Sequence, residues 1–367
     1  MFQYRNRSAS FAAVIGAALT AGVLPAAADV KVYGKVHVSV DWLNPGSQGA
    51  TTDAGSRKHT SVSSNSSRWG IDIAEKLDGA LTAIAKLESE LDTSGETSSQ
   101  NTRNRYVGLK GGWGQLLAGV YDTPFKQIRS AVDLFNEQVG DIRNLVNGGA
   151  GWDLRPPNAL RYDTPNLNGF MVSYLHSTDR TADTVAEDNR RRLDSVGVNY
   201  TRGSLYAAFA YETHRYNTVA DSGNPTETGY RLGASYTFGA FKVIGLYNDL
   251  KDLGGTAAGA SSVKRKSWAL GGAYTAGNNI FKLQYTKADD LSNNTAGASQ
   301  METGAKLWAI GWEHLFSKTT KVYVDYAKTD NDANSTFAVG NSGRGDTVTP
   351  GAGGDPQAWS VGMIVDF

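Results

Sequence analysis

Residues 30–42 read Val-Lys-Val-Tyr-Gly-Lys-Val-His-Val-Ser-Val-Asp-Trp. Val30, Val32, Gly34, Val36, Val38, Val40 and Trp42 fall on one side of an extended chain. Lys31, Tyr33, Lys35, His37, Ser39 and Asp41 fall on the other. A period of two held over thirteen residues is the mark of a β-strand with two unlike faces, and no helix accommodates it. The pattern returns along the chain. Trp69, Ile71 and Ile73 oppose Arg68, Gly70 and Asp72; Tyr230, Leu232, Ala234, Tyr236 and Phe238 oppose Arg231, Gly233, Ser235 and Thr237. Val196, Val198 and Tyr200 alternate with Ser195, Gly197 and Asn199, and the chain ends with Trp359, Val361, Met363, Val365 and Phe367 in alternation. A soluble β-sandwich needs one solidly apolar inner face per sheet. Here the second face carries Lys, Arg, Asp, Glu, Gly and Ser, while the apolar face is continuous enough to meet lipid.

Sixteen such segments are expected, near 30–42, 66–77, 80–91, 101–111, 114–122, 158–165, 169–178 and 193–201, then 204–214, 227–238, 241–250, 263–275, 279–288, 304–315, 318–329 and 356–367. Tight turns, such as Leu77-Asp78-Gly79-Ala80 and Gly111-Gly112-Trp113-Gly114, alternate with long polar loops, among them 43–65, 122–158 and 329–356. An even strand count with short turns at one end and long loops at the other fits an antiparallel barrel of the bacterial outer membrane. Strands of about eleven residues tilted ~45° rise on the order of 25 Å, enough to cross the hydrocarbon. Trp113, Phe170, Phe238, Phe241, Phe316 and Phe367 lie near the short turns, as an interfacial girdle requires. The expected fold is therefore all-β, a 16-stranded antiparallel transmembrane β-barrel.

Composition agrees. The 367 residues hold 36 basic and 36 acidic side chains, 42 glycines and no cysteine. Charge balance argues against nucleic acid as a partner. The missing cysteine excludes disulfides, thiolate metal sites and a cysteine nucleophile. No apolar run after the N-terminal segment reaches the ~18 residues that a transmembrane helix needs. Backbone pairing in lipid then leaves the barrel as the spanning structure. At the N-terminus, Arg5 and Arg7 precede an apolar stretch from Phe11 to Leu24 and the small residues Ala26-Ala27-Ala28. This reads as a secretory signal peptide, residues 1–28, cleaved after Ala28, with residues 29–367 as the barrel. Its removal takes two arginines and no acid, leaving 34 basic against 36 acidic side chains.

Several stretches resemble the general diffusion porins of Gram-negative bacteria, most closely the β-proteobacterial branch. They are Val32-Tyr33-Gly34-Lys35, Ser67-Arg68-Trp69-Gly70-Ile71, Leu77-Asp78-Gly79, Ala83 to Glu88, and Tyr106 to Gly111. Gly119-Val120-Tyr121-Asp122-Thr123-Pro124, Arg161-Tyr162-Asp163-Thr164-Pro165 and Asn168-Gly169-Phe170 continue the match in order. The resemblance implies an outer-membrane channel, passive to small hydrophilic solutes and ions, with no cofactor and no catalytic residue. It implies a homotrimer in contact with outer-membrane lipid and lipopolysaccharide. It also implies a terminal Phe367 that resembles the signal read by the barrel assembly machinery, and a long third loop, 123–158, folded into the lumen as a constriction.

The residues themselves supply such a loop, with Ile128, Val132, Phe135, Val139 and Ile142 at helical spacing between Ile128 and Leu145. The resemblance places acids on it, here Asp133, Glu137 and Asp141, against a basic wall that maps onto Lys35, Arg68 and Arg161. Alternation alone puts those three cations on the polar face. Val120 stands where many members carry a further arginine, and Arg129, Arg143 or Arg155 are candidates to replace it. Opposed charges across a narrow aqueous gap orient dipolar solutes and bias ion flux.

Two other functions would leave different marks. A substrate-selective channel for anions, phosphate or organic acids would show extra cations on the third loop. An outer-membrane barrel enzyme such as a phospholipase would show a smaller barrel and a lipid-facing nucleophile. The chain has no GxxxxGK[ST], HExxH or EF-hand pattern. Its histidines, His37, His59, His176, His214 and His314, are scattered.

Overall fold

A computed structural model describes residues 28–46, 57–95, 102–147, 151–180, 191–216, 226–253, 263–293, 301–340 and 346–367. The proposed signal segment thus lies almost wholly outside the described residues. Sixteen strands form a closed antiparallel barrel. They are β1 (Asp29–Asn44), β2 in two halves (His59–Ser64 and Arg68–Lys76), β3 (Thr82–Glu90), β4 (Thr102–Gly111) and β5 (Gly114–Val120). β6 (Ala159–Asp163), β7 (Phe170–Ser177), β8 (Arg191–Arg202), β9 (Leu205–Tyr216), β10 (Thr226–Phe238) and β11 (Phe241–Lys251) follow. β12 (Val263–Ala276), β13 (Asn279–Ala288), β14 (Ala305–Leu315), β15 (Thr320–Asn331) and β16 (Gln357–Asp366) complete the wall. β16 closes on β1 in the register Lys35↔Asp366 to Asn44↔Gln357. Gly34 and Phe367 exchange backbone hydrogen bonds of 2.9 and 3.0 Å. No helix among the described residues is long and apolar enough to cross a membrane.

The inside-out distribution of burial is what the alternation predicts. Ile310 is 56% exposed and Leu232 51%, whereas Arg231, Glu212, Asn248 and Asp325 are fully buried. Apolar side chains point outward around the whole barrel and charged ones inward, as lipid outside and water or protein inside require. Outward aromatics form two belts. Trp113 stacks on Tyr162 and Phe238 on Phe241, while Phe170 packs tilted against Tyr200 and Tyr274 against Phe241, near the short turns. Trp268, Tyr285 and Trp308, with Tyr326 and Trp359, form the second belt nearer the long loops.

Two details depart from the sequence expectation. The segment 43–65, expected as loop throughout, contains the strand half His59–Ser64, paired to β1 from Leu43↔His59 to Val38↔Ser64. Its break from Arg68–Lys76 is a bulge at 65–67, where Ser66 has φ 55° and the Ser67 hydroxyl accepts from the His37 amide at 2.9 Å. The stretch from Ile128 to Leu145 is not one helix. α1 (Pro124–Val132) stops at Asp133, and α2 (Arg143–Val146) is a single turn. The Asp133 side chain accepts from the Phe135 amide at 2.9 Å, an aspartate turn that competes with the helix. Glu137 and Gly140 then take φ of 65° and 84° and fold the chain back. All five apolar residues at the helical spacing are nevertheless buried.

They are buried against the polar, inward face of the wall. Phe125, Ile128 and Trp152 pack on Ala208, Ala210 and Leu250. Val132, Ile142 and Val146 pack on Ile244, Leu246 and Ala269. Phe135, Val139 and Leu145 join Leu307, Ala309 and Ala327. Gly233 and Gly229 make this approach possible. A Cβ on Gly233 would collide with Ile128, and one on Gly229 with the Trp152 ring. From the other side, Val339 of the last loop accepts from the Gly140 amide at 2.9 Å.

Candidate functional site

Two clusters of charge flank the third long loop. In the first, the Glu137 carboxylate meets Lys35 Nζ of β1 at 3.2 Å and Arg68 Nη1 of β2 at 2.9 Å. The two cations remain about one-fifth exposed. Next to them on the same wall, Arg103 Nε of β4 contacts Glu88 of β3 at 2.6 Å. Lys86 bridges Asp72 at 2.8 Å and the Tyr33 hydroxyl at 2.9 Å. A polar cavity of about 240 Å³ opens beside this cluster, lined by Arg103, Lys126, Arg129, Arg143 and Arg155 together with Glu90, Glu137 and Asp141. Burial alone would raise the Glu137 carboxyl, but Arg68 and Lys35 hold it down at about 2. Lys126 is pushed down by burial to about 8, although Asp122 lies 2.7 Å from it.

The second cluster is almost fully buried, although Arg129 and Asp141 belong to the lining of the same cavity. Arg129 of α1 contacts Asp153 at 2.8 Å, Asp141 at 3.3 Å, Asp133 at 3.4 Å and the Asn136 side chain at 2.7 Å. Arg231 of β10 pairs with Asp153 and donates to the Phe125 carbonyl at 3.1 Å. Asp141 also accepts from the amides of Glu137 at 3.0 Å and Arg143 at 2.7 Å. Against its burial, Asp153 is held at about 2 by Arg231 and Arg129. Asp133 is driven upward instead, by burial and then by the carboxylate of Asp141 beside it. This network fixes the bend between α1 and α2. Thr123 starts α1 as its cap, accepting from the Lys126 amide at 3.2 Å.

The six charged candidates from the sequence therefore occupy two different settings. The structure brings Lys35, Arg68 and Glu137 together beside open space. It places Asp133 and Asp141 inside the loop. Arg161, on the inward face of β6, is covered by the loop: it pairs with Asp163 at 2.8 Å and donates to the Asp122 carbonyl at 2.9 Å and to Gln127 at 3.0 Å. Phe367 sits outward at the barrel seam, 61% exposed.

Arg103 was missed for a physical reason. Its parity along β4 matches Val107 and Leu109, which face outward. A register shift between Leu87 and Ser89 turns the strand, so that Arg103 reaches Glu88 on the inner face. Asp153 and Arg231 were missed because they meet only when the loop lies on the wall. Arg129, Arg143 and Arg155, offered as substitutes for the residue lost at Val120, all line the cavity, although Arg129 itself is almost fully buried.

A closed barrel with an apolar exterior and a charged interior defines an outer-membrane channel for passive diffusion. The chain belongs to the family of Gram-negative porins, whose sequence profile it matches over residues 10–334. It is 30% identical over 246 residues to outer membrane porin protein 32 of Delftia acidovorans, 64% of this chain and 68% of that one. It is 26% identical over 210 residues to the major outer membrane protein P.IB of Neisseria sicca, covering 56% of this chain and 59% of that protein. In three dimensions it is similar to an anion-selective porin from Comamonas acidovorans, with TM-score 0.76, 26% identity and coverage of 93% of this chain and 100% of that one. An outer membrane protein of Vibrio cholerae in a trimer form shares the fold, with TM-score 0.68 and 16% identity over 93% of this chain.

Proposed function

We propose that residues 123–158 fold into the lumen and narrow it, so that solutes pass between Glu137 on the loop and Lys35, Arg68 and Arg103 on the wall. The observation that carries this is the Glu137 carboxylate, held at 2.9 and 3.2 Å from two cations that keep part of their surface open. Around the gap the cations outnumber the acids not already paired inside the loop. The resulting field favours anions modestly and orients dipolar solutes without a binding step. The likeness to an anion-selective porin supports this second, sharper reading. In this proposal the mature chain begins at Asp29, works as a homotrimer and performs no catalysis, and Phe367 is presented to the assembly machinery.

The test is conductance in a planar bilayer with a salt gradient. Stable ohmic steps that close in threes at high voltage, with a reversal potential of anionic sign, are expected. A cation-selective reversal potential would remove the anion reading, and no conductance would remove the channel.

A further inference from the structure

The inner wall carries aromatic rings that a passage governed by charge alone does not require. Tyr33 of β1, Tyr106 of β4 and Tyr121, just after β5, share the inward face with Lys86 of β3. The register puts them at one level: Tyr33 pairs with Gly70, Gly70 with Glu88, Lys86 with Tyr106, and Tyr106 with Gly119. The Tyr33 ring lies over Gly70, where a Cβ would collide with its hydroxyl. That hydroxyl donates to Glu88 at 2.8 Å and accepts from Lys86 at 2.9 Å, and Lys86 Nζ stands 4.3 Å from the ring centre. Tyr106 and Tyr121 meet with ring centres 5.0 Å apart, and the Arg161 guanidinium lies 4.4 Å from the Tyr121 ring centre. Neither of these two tyrosine hydroxyls has a hydrogen-bond partner among the described residues. Other inward tyrosines of the wall are covered: Tyr206 packs against apolar residues of the third long loop, and Tyr323 is fully buried. Tyr33, Tyr106 and Tyr121 stay half-buried, with ring surface left toward the interior. Lys35 pairs with Arg68 across the strands, and Tyr33 follows toward the short turns on the same face. At ~3.3 Å per residue and ~45° tilt, the tyrosine row stands on the order of 5 Å from the gap at Glu137.

We infer that Tyr33, Tyr106 and Tyr121 form a ring-stacking subsite that selects aromatic carboxylates over aliphatic ones among the anions that pass the gap. The inference rests on the passage and the anion preference proposed above. A solute ring laid on Tyr106 and Tyr121 gains the offset or edge-to-face contact that a saturated ring of the same size lacks. Held there, it places a carboxylate attached through a short saturated link beside Lys35 and Arg68, whose surfaces are partly open. The acids at this level are already taken. Glu88 is paired with Arg103 and accepts from Tyr33, and Asp72 is paired with Lys86. A sugar would need several polar groups directed at its hydroxyls, and here those groups are engaged with one another. Binding of this kind is weak enough to release, as conduction requires.

The experiment uses the full mature chain in a planar bilayer and reads the concentration of added solute that halves the chloride current. The probes are phenylpropionate and its saturated-ring counterpart cyclohexylpropionate, both ionised at neutral pH, with phenylethylamine and maltose beside them. Phenylpropionate is expected to half-block at about tenfold lower concentration than cyclohexylpropionate, the size of preference that aromatic stacking supplies. Tyr106→Leu and Tyr121→Leu, made separately so that one misfolded variant does not end the test, should each bring the two acids together. Tyr106→Phe should keep the difference, and so should Tyr236→Leu on the outer face. Equal block of the native channel by the two acids, or a preference that survives both leucine variants, would overturn the subsite. Phenylethylamine blocking as well as phenylpropionate would overturn the part given to the carboxylate. Maltose blocking as well, with the same tyrosine dependence, would overturn the choice of aromatic acids. The reversal potential is recorded on the same channels. An anionic sign without ring preference removes the subsite and leaves the proposed function standing, whereas a protein that does not conduct removes the proposed function and the subsite with it.

Discussion

Two clusters of cations and carboxylates, each joining the third long loop to strands of the wall, differ in one property. Glu137, Lys35 and Arg68 keep part of their surface toward open space; Arg129, Asp133, Asp141, Asp153 and Arg231 have almost none. Buried ions are stabilising only while every partner is in place, because each has given up its hydration. Partly open ions can lose a partner to water at small cost, and their field reaches the solution. The buried cluster therefore holds the loop, and we propose that the open one acts on solutes.

The largest effect expected from this contrast is in the buried cluster. Asp153→Ala leaves Arg129 and Arg231 buried with one carboxylate fewer and should cost about 3–5 kcal/mol, as removal of one partner from a buried ion network does. Thermal denaturation should show it, with noisier and larger conductance as the loop loosens. Retention of native stability and a quiet channel would break the comparison.

Gly233→Val is expected next. Its side chain would occupy the space of Ile128, and overpacking of this kind costs about 1–3 kcal/mol. A shifted Trp152 fluorescence with the charges intact would separate packing from electrostatics.

Glu137→Gln should cost about 1–3 kcal/mol, less than a loss from the buried network because Lys35 and Arg68 keep part of their surface hydrated. It should nevertheless move the reversal potential toward stronger anion selectivity. Because the Glu137 carboxyl lies at about 2, below the ordinary carboxylate value, its charge contribution is complete above that ordinary value. It is lost only as the pH falls toward about 2. Selectivity of the native channel should therefore be level from pH 7 to about 5. A change of selectivity within that range would reassign the acid.

The smallest effect concerns Lys126. Its depressed value of about 8 means that it loses its positive charge as the pH rises from 7 to 9. Anion preference should fall slightly across that interval, and Lys126→Arg should abolish the change. A pH dependence that persists in Lys126→Arg would point to another group.

Much of this is legible in the sequence. Residues 30–42 and their repeats gave the strand positions, the outward and inward faces and the even count, because a period of two maps directly onto a sheet between two solvents. The inward position of Lys35, Arg68 and Arg161 followed from parity alone. Parity failed at Arg103, where a bulge reverses the face, and at His59–Ser64, a strand half hidden within a polar stretch. The loop was legible as apolar at helical spacing. The end of its helix at Asp133 was not, because that end depends on a side chain choosing a backbone amide over solvent.

What the sequence determined by itself is a barrel with lipid outside and charge inside, since alternation needs no partner to be read. Only the tertiary structure decided which charges stand in the open. Glu137 and Asp141 are four residues apart, chemically alike and both on the lining of one cavity, yet one meets the partly open Lys35 and Arg68 while the other receives backbone amides and the buried Arg129. That division depends on a loop laid against strands more than a hundred residues away in the chain, at glycines where no side chain obstructs it, and no local pattern encodes such a meeting.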